Sequence, residues 1–322
     1  MRAFITGASG FIGRNLVEYL LQKKWQIRVL FHKTKIPREE ELEVFRGNVR
    51  DFHTLRDALA GTDVLFHAAA ALGSALINPE EFYQINVYGT RNVLRAAQAE
   101  KVKRIVHFSS AGVLGSVEKN RIAPEDYPLN PRNIYDKSKL EGEKIALRLA
   151  QEGMNIVIIR PGWVYGPGDR RTFKLIKSID KKKFFLVTKG KTQQTPVYIQ
   201  DLINGILICA EKGKRGEIYN LSGGEILSVR EIVETISSST GKKIPPFTLP
   251  LFPVKLAAWS AEKIFFLFKK EAPLNRAKLS FFTHPKPLSI KKAEEELGFS
   301  PQINFKKGMA LAVRWYREHN WL

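Results

Sequence analysis

The sequence predicts an α/β protein built on a doubly wound parallel β-sheet, with a smaller α/β domain in its C-terminal part. Strand-like apolar runs alternate with helical patterns through the first half of the chain, which is typical of βαβ units. A glycine-rich turn also joins the first strand to the first helix. Five strands are predicted in this half, at residues 3–6, 27–31, 64–69, 105–109 and 156–160.

Helical periodicity fills the stretches between these strands, with apolar residues three and four positions apart. Right-handed crossovers place the carboxyl ends of all the strands on one edge, where binding sites form in such sheets. The candidate motifs of this chain follow strands or open helices, so they belong to that edge. Four helices are predicted, at 11–23, 53–60, 79–100 and 134–151.

The alternation loosens after Pro161, where the turn residues 166–169 indicate a loop. Residues 196–221 predict a return to the sheet, because a strand-like run, an apolar helix and another strand-like run follow one another. We therefore predict a sheet domain over 1–165 with a return segment at about 196–221. The remaining residues, 166–195 and 222–322, would form a second domain, with a substrate held between the two.

The composition indicates a stable, unexported protein. With 322 residues, 44% of them hydrophobic, the chain can bury a large core without disulfides or metal, and we predict no metal site. The one cysteine, Cys209, lies in an apolar helical stretch and is predicted to be buried. The first six residues lead directly into a strand, without an export signal. We expect a cytoplasmic protein.

The charge raises the question of an anionic partner. Lys and Arg number 52 against 32 acidic residues, a net charge of +20. The basic residues are scattered and not interleaved with aromatic ones, so a nucleic-acid partner is disfavoured, while peripheral contact with an anionic membrane stays open. Residues 249–268 are apolar but interrupted by Lys255, Glu262 and Lys263, which predicts an amphipathic helical region instead of a membrane span.

A glycine pattern, GASGFIG at residues 7–13, follows the first strand and opens the first helix. Gly7 permits a tight turn, Gly10 lets the backbone approach a pyrophosphate, and Gly13 lets the helix pack against the strand. In this position the pattern predicts the phosphate site of a dinucleotide-binding Rossmann fold. The alternative is a glycine-rich turn that binds no ligand. The predicted site also includes Ser9, Phe11 and Ile12.

The end of the second predicted strand, residues 30–35, carries no carboxylate. Dinucleotide folds that prefer NAD often place Asp or Glu there, where it accepts hydrogen bonds from the adenosine ribose. His32, Lys33 and Lys35 suit a 2′-phosphate better, so the sequence favours NADP over NAD as the cofactor. The alternative is that these side chains are merely solvated.

Tyr135 and Lys139 stand four residues apart in a predicted helix, hence on one helical face. A tyrosine titrates near pH 10, and a neighbouring ammonium is expected to lower its pKa toward neutrality. Tyr135 could then exchange a proton with a substrate hydroxyl or carbonyl while a nicotinamide exchanges hydride. The alternative is an ordinary surface pair, which the position after the fourth strand disfavours.

Six motifs in this order resemble the extended short-chain dehydrogenase/reductase family, also described as NAD-dependent epimerases and dehydratases. The resemblance spans most of the chain and weakens beyond about residue 221. It implies an enzyme with NAD or NADP as cofactor. The motifs lie at 7–13, 66–69, 86–90, 108–110, 135–139 and 160–167.

The resemblance also implies roles for individual residues. Ser110 would orient the substrate oxygen, Tyr135 would act as acid or base, and Lys139 would also bind the nicotinamide ribose. Asn86 is interpreted as a tie between helix and sheet, and Asp51 as a helix N-cap. The remaining implied cofactor contacts are Asn48 and Val49 at the adenine rim, Ala68, Ala69 and Ala70 over the adenosine and pyrophosphate, and Pro161 and Val164 beside the nicotinamide carboxamide.

Departures from the family pattern narrow the chemistry. Dehydratases of the family carry an Asp-Glu pair where Ala111-Gly112 stands, so dehydration is disfavoured. Epimerases usually hold a diphosphate with an asparagine and an arginine, where this chain has Trp163 and Gln194. The segment around Ser110 is similar to dihydroflavonol reductases and 3β-hydroxysteroid dehydrogenases, whose substrates are largely apolar. Aromatic residues at 259–268 and 281–282 could line an apolar pocket or be simple core.

Three functions follow from these observations. The first is an NAD(P)-dependent reductase or dehydrogenase that acts on a ketone or secondary alcohol of a small, largely apolar substrate. The second is a nucleotide-sugar epimerase with tightly bound NAD. The third is a non-catalytic cofactor-binding or RNA-binding protein, which the retained Ser110, Tyr135 and Lys139 disfavour. A homodimer is compatible with all three.

Overall fold

Thirteen β-strands occur in the described residues of a computed structural model, which describes 1–32, 38–72, 78–244, 247–268, 270, 272 and 274–322. Seven of them form one central sheet, and the other six pair in three small two-stranded sheets. The strands are β1 (Arg2–Thr6), β2 (Gln26–Phe31), β3 (Glu43–Arg46), β4 (Val64–His67), β5 (Arg104–Phe108), β6 (Ile156–Pro161), β7 (Trp163–Tyr165), β8 (Leu186–Val187), β9 (Gln193–Gln194), β10 (Pro196–Tyr198), β11 (Ile218–Leu221), β12 (Leu227–Ser228) and β13 (Thr248–Leu249).

Helices cover both faces of the sheet. The first five α-helices alternate with its strands, and the later ones lie between and after the small sheets. They are α1 (Phe11–Gln22), α2 (Phe52–Leu59), α3 (Pro79–Tyr83), α4 (Thr90–Ala99), α5 (Ile134–Gln151), α6 (Arg170–Asp180), α7 (Ile199–Lys212), α8 (Val229–Thr240), α9 (Leu251–Leu267), α10 (Arg276–Thr283), α11 (Lys291–Leu297) and α12 (Phe305–Glu318).

The central sheet is parallel throughout, in the order β11-β6-β5-β4-β1-β2-β3. The strand order reverses beside β1, which pairs with β2 on one side and with β4 on the other. A crevice for ligands forms at such a point, outside the carboxyl ends of the strands. Phe4 and Ile5 of β1 are fully buried, because helices cover both faces. The predicted doubly wound α/β class is confirmed.

Each predicted strand corresponds to an observed one, but the edge strand β3 was not predicted. Its four residues are only half-buried or exposed, with charged Glu43 and Arg46 at its ends. Short, charged edge strands protect a sheet from pairing with other chains, and they lack the apolar run that indicates a buried strand. The helix predicted at 79–100 is interrupted by a π-helical stretch, Gln84–Gly89, between α3 and α4.

The C-terminal helices share the core of the sheet. Ile236 of α8, Ala293 of α11 and Met309 of α12 belong to the same buried apolar cluster as Ile5 of β1. Strand β11 pairs with β6 at the edge of the sheet opposite β3. Cys209 is fully buried in this cluster, as predicted. The division of the chain into two domains at 165, 195 and 221 stays a prediction.

Helix α9 covers most of the stretch predicted as an amphipathic helical region. Val254 and Ala258 pack inward, but the exposed face carries Phe252 and Leu267, which are 80% and 79% exposed. The prediction of a helix is right, and that of an amphipathic one is wrong, because both the inward and the outward face are apolar. Among the described residues, no helix has the length and apolar character needed to cross a bilayer.

Candidate active site

The glycine turn lies where β1 ends, beside the loop that follows β4. Gly7 has φ +76°, and a Cβ placed there would stand 2.7 Å from the Ala69 nitrogen. A Cβ on Gly13 would stand 2.1 Å from the Gly7 carbonyl oxygen. That oxygen accepts a hydrogen bond from the Gly10 N–H at 3.0 Å. Any side chain at Gly7 or Gly13 would therefore force the turn, the loop and the helix apart.

The start of α1 forms the other wall of this turn. Gly10 is its N-cap and offers no side chain to the N–H groups of the first turn, which have no partner within the helix. Phe11 and Ile12 in that turn are half-buried, and Ser9 before it is exposed. Free N–H groups and the positive end of a helix dipole bind phosphates. These residues therefore fit the pyrophosphate of a dinucleotide.

The loop after β4 is tied to the end of β1. Thr6 accepts a hydrogen bond from the Ala69 N–H at 3.2 Å through its hydroxyl, and from the Ala68 N–H at 3.2 Å through its carbonyl. The Thr6 hydroxyl also shares a hydrogen bond with the His67 ring at 2.7 Å. Ala70 follows in the same loop and is half-buried. These bonds hold Ala68 and Ala69 against the glycine turn.

Asn86 is a structural tie, but it joins its helical segment to this loop and to α5, whereas the sequence predicted a tie to the sheet. Its side-chain oxygen accepts from the Ala71 N–H at 2.8 Å, and its amide donates to the Ser138 hydroxyl at 2.9 Å. The Asp51 prediction is confirmed, because Asp51 is the N-cap of α2 and accepts from the Thr54 N–H at 3.2 Å.

The predicted adenine rim follows β3. The Asn48 side chain accepts from the Arg50 N–H at 2.7 Å and so holds a turn. Val49 is buried, and a Cβ on Gly89 would stand 2.5 Å from its Cγ2, so Gly89 makes room for it. Both residues follow the carboxyl end of β3, and their contact with adenine stays a prediction.

Of the three residues predicted to bind a 2′-phosphate, the structure describes one. His32 is exposed at the end of β2, whereas Lys33 and Lys35 lie outside the described residues. The structure adds a cation that sequence reasoning missed, Arg46 at the end of β3. Its guanidinium lies 5.6 Å from the Phe31 ring centroid, and Arg46 pairs with Phe31 across the two strands. Arg46 could not be found from the sequence, because β3 was not predicted.

Ser110 and Tyr135 meet beyond the end of β5. Tyr135 lies in the first turn of α5, whose N-cap Asn133 accepts from the Asp136 N–H at 2.8 Å. Ser110 caps a short helical turn and accepts from the Gly112 N–H at 3.0 Å. Burial raises the pKa of Tyr135, and the Ser110 side chain acts in the opposite direction with a smaller effect.

The prediction that Lys139 lowers the pKa of Tyr135 is wrong. Burial, assisted by the Asp136 charge, raises the pKa of Tyr135, and the opposing effects of Arg171 and Ser110 are smaller. Lys139 does not contribute, and its ammonium instead donates to the carbonyl of Phe108 in β5. The phenol is therefore held protonated at neutral pH.

Lys139 is itself an unusual lysine, only 3% exposed. Burial lowers its pKa to about 8, although the nearby Glu143 carboxylate acts in the opposite direction. One turn of α5 separates Lys139 from Tyr135, as predicted. An ammonium has three donors, so its bond to Phe108 leaves others for a bound group.

A buried ion pair lies next to this site, between β6 and α5, and it was not predicted from the sequence. The Arg160 guanidinium of β6 binds the Glu143 carboxylate of α5 with two hydrogen bonds, at 3.0 Å and 2.6 Å. Their side chains are 2% and 1% exposed. Glu143 also accepts from the Ser109 hydroxyl, and Arg160 donates to the Glu125 carbonyl at 2.7 Å. The network joins α5, β5 and β6 beneath Ser110 and Lys139.

A cavity of about 190 Å³ opens beside Ser110. Pro161 at the end of β6 and Gly162 line it, as do Trp163 and Phe281, whose ring centroids are 5.1 Å apart. Val164 is buried in β7 and is not among the lining residues. The cavity therefore combines an aromatic wall with the Ser110 hydroxyl at one end.

Polar groups line the other side of the cavity. His284 and Lys286 belong to its lining, and both lower the pKa of the buried Asp136, although burial raises it overall. A Cβ on Gly112 would stand 1.9 Å from an Asp136 carboxylate oxygen. Where dehydratases carry a carboxylate side chain, this chain therefore has a glycine that makes room for Asp136.

Two predictions about the substrate pocket have different outcomes. Phe281 lines the cavity, whereas Phe282 packs against the buried core. The aromatic stretch 259–268 does not line it, and Trp259 is 45% exposed on α9. Gln194 lines it and donates to the carbonyls of Phe281 and His284, at 3.0 and 3.1 Å, so its side chain holds α10 in place.

Comparisons with known proteins agree with this geometry. The profile of the NAD dependent epimerase/dehydratase family matches residues 3–222. A 4-hydroxy-2-methyl-3-oxo-4-farnesyl-3,4-dihydroquinoline-1-oxide ketoreductase from Stigmatella aurantiaca is 30% identical over 96% of this chain and 95% of its own length. A Synechocystis protein named provisionally as a dihydroflavonol 4-reductase is 31% identical over 99% and 95%.

A solved structure is also similar over the whole chain. It is a dTDP-glucose 4,6-dehydratase from Streptomyces venezuelae with NAD bound, with a TM-score of 0.78 and 26% identity over 100% of this chain and 98% of that one. The family suggested by the six motifs is thus confirmed. The chain belongs to the NAD dependent epimerase/dehydratase family and is an enzyme of the extended short-chain dehydrogenase/reductase type.

Proposed function

We propose that this chain is an NAD(P)-dependent reductase or dehydrogenase acting on a ketone or secondary alcohol of a small, largely apolar substrate. The observation that carries the proposal is the cavity beside Ser110, where Trp163 and Phe281 form an aromatic wall next to the Ser110 hydroxyl. The farnesylated substrate in the name of the Stigmatella relative supports an apolar ligand.

In the reducing direction the residues have separate tasks. A bound nicotinamide supplies the hydride, and Tyr135 donates its hydroxyl proton to the carbonyl oxygen of the substrate. Ser110 orients that oxygen with a hydrogen bond. Because burial raises the pKa of Tyr135, the phenol is protonated at neutral pH, which suits donation better than abstraction. Lys139, whose ammonium donates to the Phe108 carbonyl, would hold the nicotinamide ribose with its remaining donors.

An epimerase is the second candidate, and one observation favours it. Epimerases usually bind the substrate diphosphate with an arginine at the position of Gln194. Lys286 lines the cavity here, and its ammonium could bind the diphosphate instead. An epimerase oxidises and re-reduces one sugar carbon, so it consumes no added cofactor. A reductase consumes NAD(P)H in proportion to product.

The experiment that separates the two candidates is a substrate panel. The purified protein is incubated with steroid, flavonoid and isoprenoid ketones plus NAD(P)H, and separately with UDP-sugars without added cofactor. Stoichiometric oxidation of NAD(P)H by an apolar ketone supports the proposed function. Interconversion of UDP-sugars without net redox change would replace it with the epimerase.

We also propose a preference for NADP over NAD. Arg46 and His32 stand at the ends of adjacent strands, and residues 30–35 carry no carboxylate that could bind the adenosine ribose. An arginine can bind a phosphate with two hydrogen bonds. Arg46→Gln should weaken NADP binding by about tenfold or more and leave NAD binding unchanged, because hydrogen bonds to charged groups contribute about 1.5–3 kcal/mol. Titration calorimetry with both cofactors measures this, with Arg95→Gln on α4 as the control.

A clear preference of the unmodified protein for NAD would contradict the cofactor proposal. A homodimer also stays a proposal, and light scattering tests it. The net charge of +20 favours contact with an anionic membrane, but it does not indicate which part of the surface makes that contact.

A further inference from the structure

Exposed apolar side chains concentrate on one surface of the molecule. Of fourteen large hydrophobic residues that are exposed in the described ranges, eight lie in α9, just before or after it, or next to β8. Single exposed hydrophobic residues are ordinary, whereas a contiguous apolar patch indicates a binding surface. We call this patch the α9 surface. It comprises Phe185, Phe247, Phe252, Leu256, Trp259, Ile264, Leu267 and Phe268.

The secondary structure relates most of these side chains to one another. Phe252, Leu256, Trp259 and Leu267 recur at helical spacing, so they share the face of α9 opposite its inward residues. Phe185 precedes β8 and Phe247 precedes β13, two strands that pair with each other, and the two rings lie 5.4 Å apart. Helix α9 begins two residues after β13 ends. Six of the eight exposed side chains thus lie on α9 or directly after it, and the other two form a pair beside the β8–β13 sheet that leads into α9.

Lysines surround the apolar side chains. Lys255 and Lys263 lie on α9 itself, Lys270 follows it, and Lys181, Lys182 and Lys183 directly precede Phe184 and Phe185; all six are exposed. The Lys263 ammonium lies 3.9 Å from the Trp259 ring centroid. In residues 247–268 the only carboxylate is Glu262, which is half-buried. The patch is thus apolar in its centre and cationic at its border.

The α9 surface also adjoins the substrate cavity. Leu279 of α10 packs against Val254 and Ala258 of α9, while Phe281 of the same helix lines the cavity. Burial lowers the pKa of His284, another lining residue, and the Lys255 charge on α9 adds a smaller effect in the same direction. One short helix thus separates the surface from the cavity.

We infer that the α9 surface docks on an anionic phospholipid bilayer. Aromatic and aliphatic side chains of a surface helix enter the boundary between headgroups and acyl chains, where tryptophan is favoured, while lysines reach the phosphates. The lysine border matches an anionic membrane and opposes a second copy of the same surface, because like charges repel. This inference goes beyond the proposed function, since docking requires no turnover.

The test is cosedimentation of the full-length protein with vesicles of phosphatidylcholine, or of phosphatidylcholine mixed with phosphatidylglycerol. We expect binding to the mixed vesicles that falls as salt rises, and at least tenfold weaker binding to phosphatidylcholine alone. The double variant Phe252→Ser/Leu267→Ser should lose at least tenfold in partitioning to mixed vesicles. The matched control Ile122→Ser/Leu129→Ser, which changes exposed apolar residues elsewhere, should bind as the unmodified protein does.

Two further readouts keep the inference open to refutation if a variant is unstable. Brominated lipids in the mixed vesicles should quench tryptophan fluorescence, and the conservative variant Trp259→Phe should remove most of that quenching while the protein still binds. Light scattering without vesicles follows the oligomeric state. Absence of binding to mixed vesicles, equal losses in the two serine variants, or a dimer that only Phe252→Ser/Leu267→Ser dissociates would overturn the inference.

Discussion

The buried ion pair under the candidate active site makes a quantitative prediction. Glu143→Gln removes a carboxylate that accepts two hydrogen bonds from Arg160 and one from Ser109. The Arg160 guanidinium, on a side chain that is 2% exposed, would keep its bond to the Glu125 carbonyl but lose its counter-charge. Breaking a buried pair in this way costs about 3–5 kcal/mol of unfolding free energy.

This loss of unfolding free energy can be measured as a change in the melting temperature. At an unfolding entropy of about 2.1 cal/mol/K per residue, 322 residues shift by about 1.5 °C per kcal/mol, so Glu143→Gln should melt about 4–7 °C lower. Differential scanning calorimetry measures this. The matched control is Glu141→Gln on the same helix, whose partner Lys144 is exposed. An exposed pair contributes about 0–1 kcal/mol, so the control should shift by no more than about 1.5 °C.

The same variant should change activity as well as stability. Glu143 raises the pKa of Lys139 against the larger effect of burial, which lowers it to about 8. Without Glu143, Lys139 should lose its proton at a lower pH, and the alkaline decline of kcat/KM should begin earlier. Equal melting shifts in the two glutamine variants, or a Glu143→Gln shift below about 1.5 °C, would refute this account of the network.

Two further predictions concern the glycine turn and the buried residue His67. Gly13→Ala should weaken dinucleotide binding at least tenfold in titration calorimetry, because its Cβ would stand 2.1 Å from the Gly7 carbonyl oxygen, whereas Gly224→Ala, with nothing within 4 Å, should bind normally. Burial, and to a smaller extent the Lys139 charge, lowers the pKa of His67 from 6.5 to about 3, so the folded state favours the neutral ring. The contribution of His67 to the free energy of unfolding is therefore fully present above pH 6.5 and is lost as the pH falls toward 3. In urea unfolding, His67→Gln should therefore lose less stability per pH unit below pH 6.5 than the unmodified protein, by up to about 1.4 kcal/mol, and an unchanged slope would contradict the assignment.

The sequence predicted those features that depend on local pattern. The glycine spacing, the alternation of strands and helices, and the four-residue separation of Tyr135 and Lys139 are readable within a few positions of one another. The Glu143–Arg160 pair joins residues from a helix and the next strand, so only the packed structure brings them together. The direction of the Tyr135 pKa also depends on burial, which residue spacing does not reveal.

The exposed apolar face of α9 also could not be predicted from the sequence. An apolar run interrupted by charges predicts a helix that buries one stripe and exposes a polar face. Which faces of such a helix are covered depends on the other elements that pack against it in the folded chain. Here α10 covers Val254 and Ala258, and no described residue covers Phe252 or Leu267, which are 80% and 79% exposed.

In the proposed function, Tyr135 transfers a proton beside a bound nicotinamide. The most direct measurement compares the unmodified protein with Tyr135→Phe, both for the dissociation constant of NAD(P)H and for its oxidation by an accepted ketone. General acid catalysis contributes about 10²–10⁴-fold, so turnover should fall at least a hundredfold while the dissociation constant stays within about twofold. Turnover by Tyr135→Phe at the unmodified rate, with the cofactor still bound, would contradict the claim.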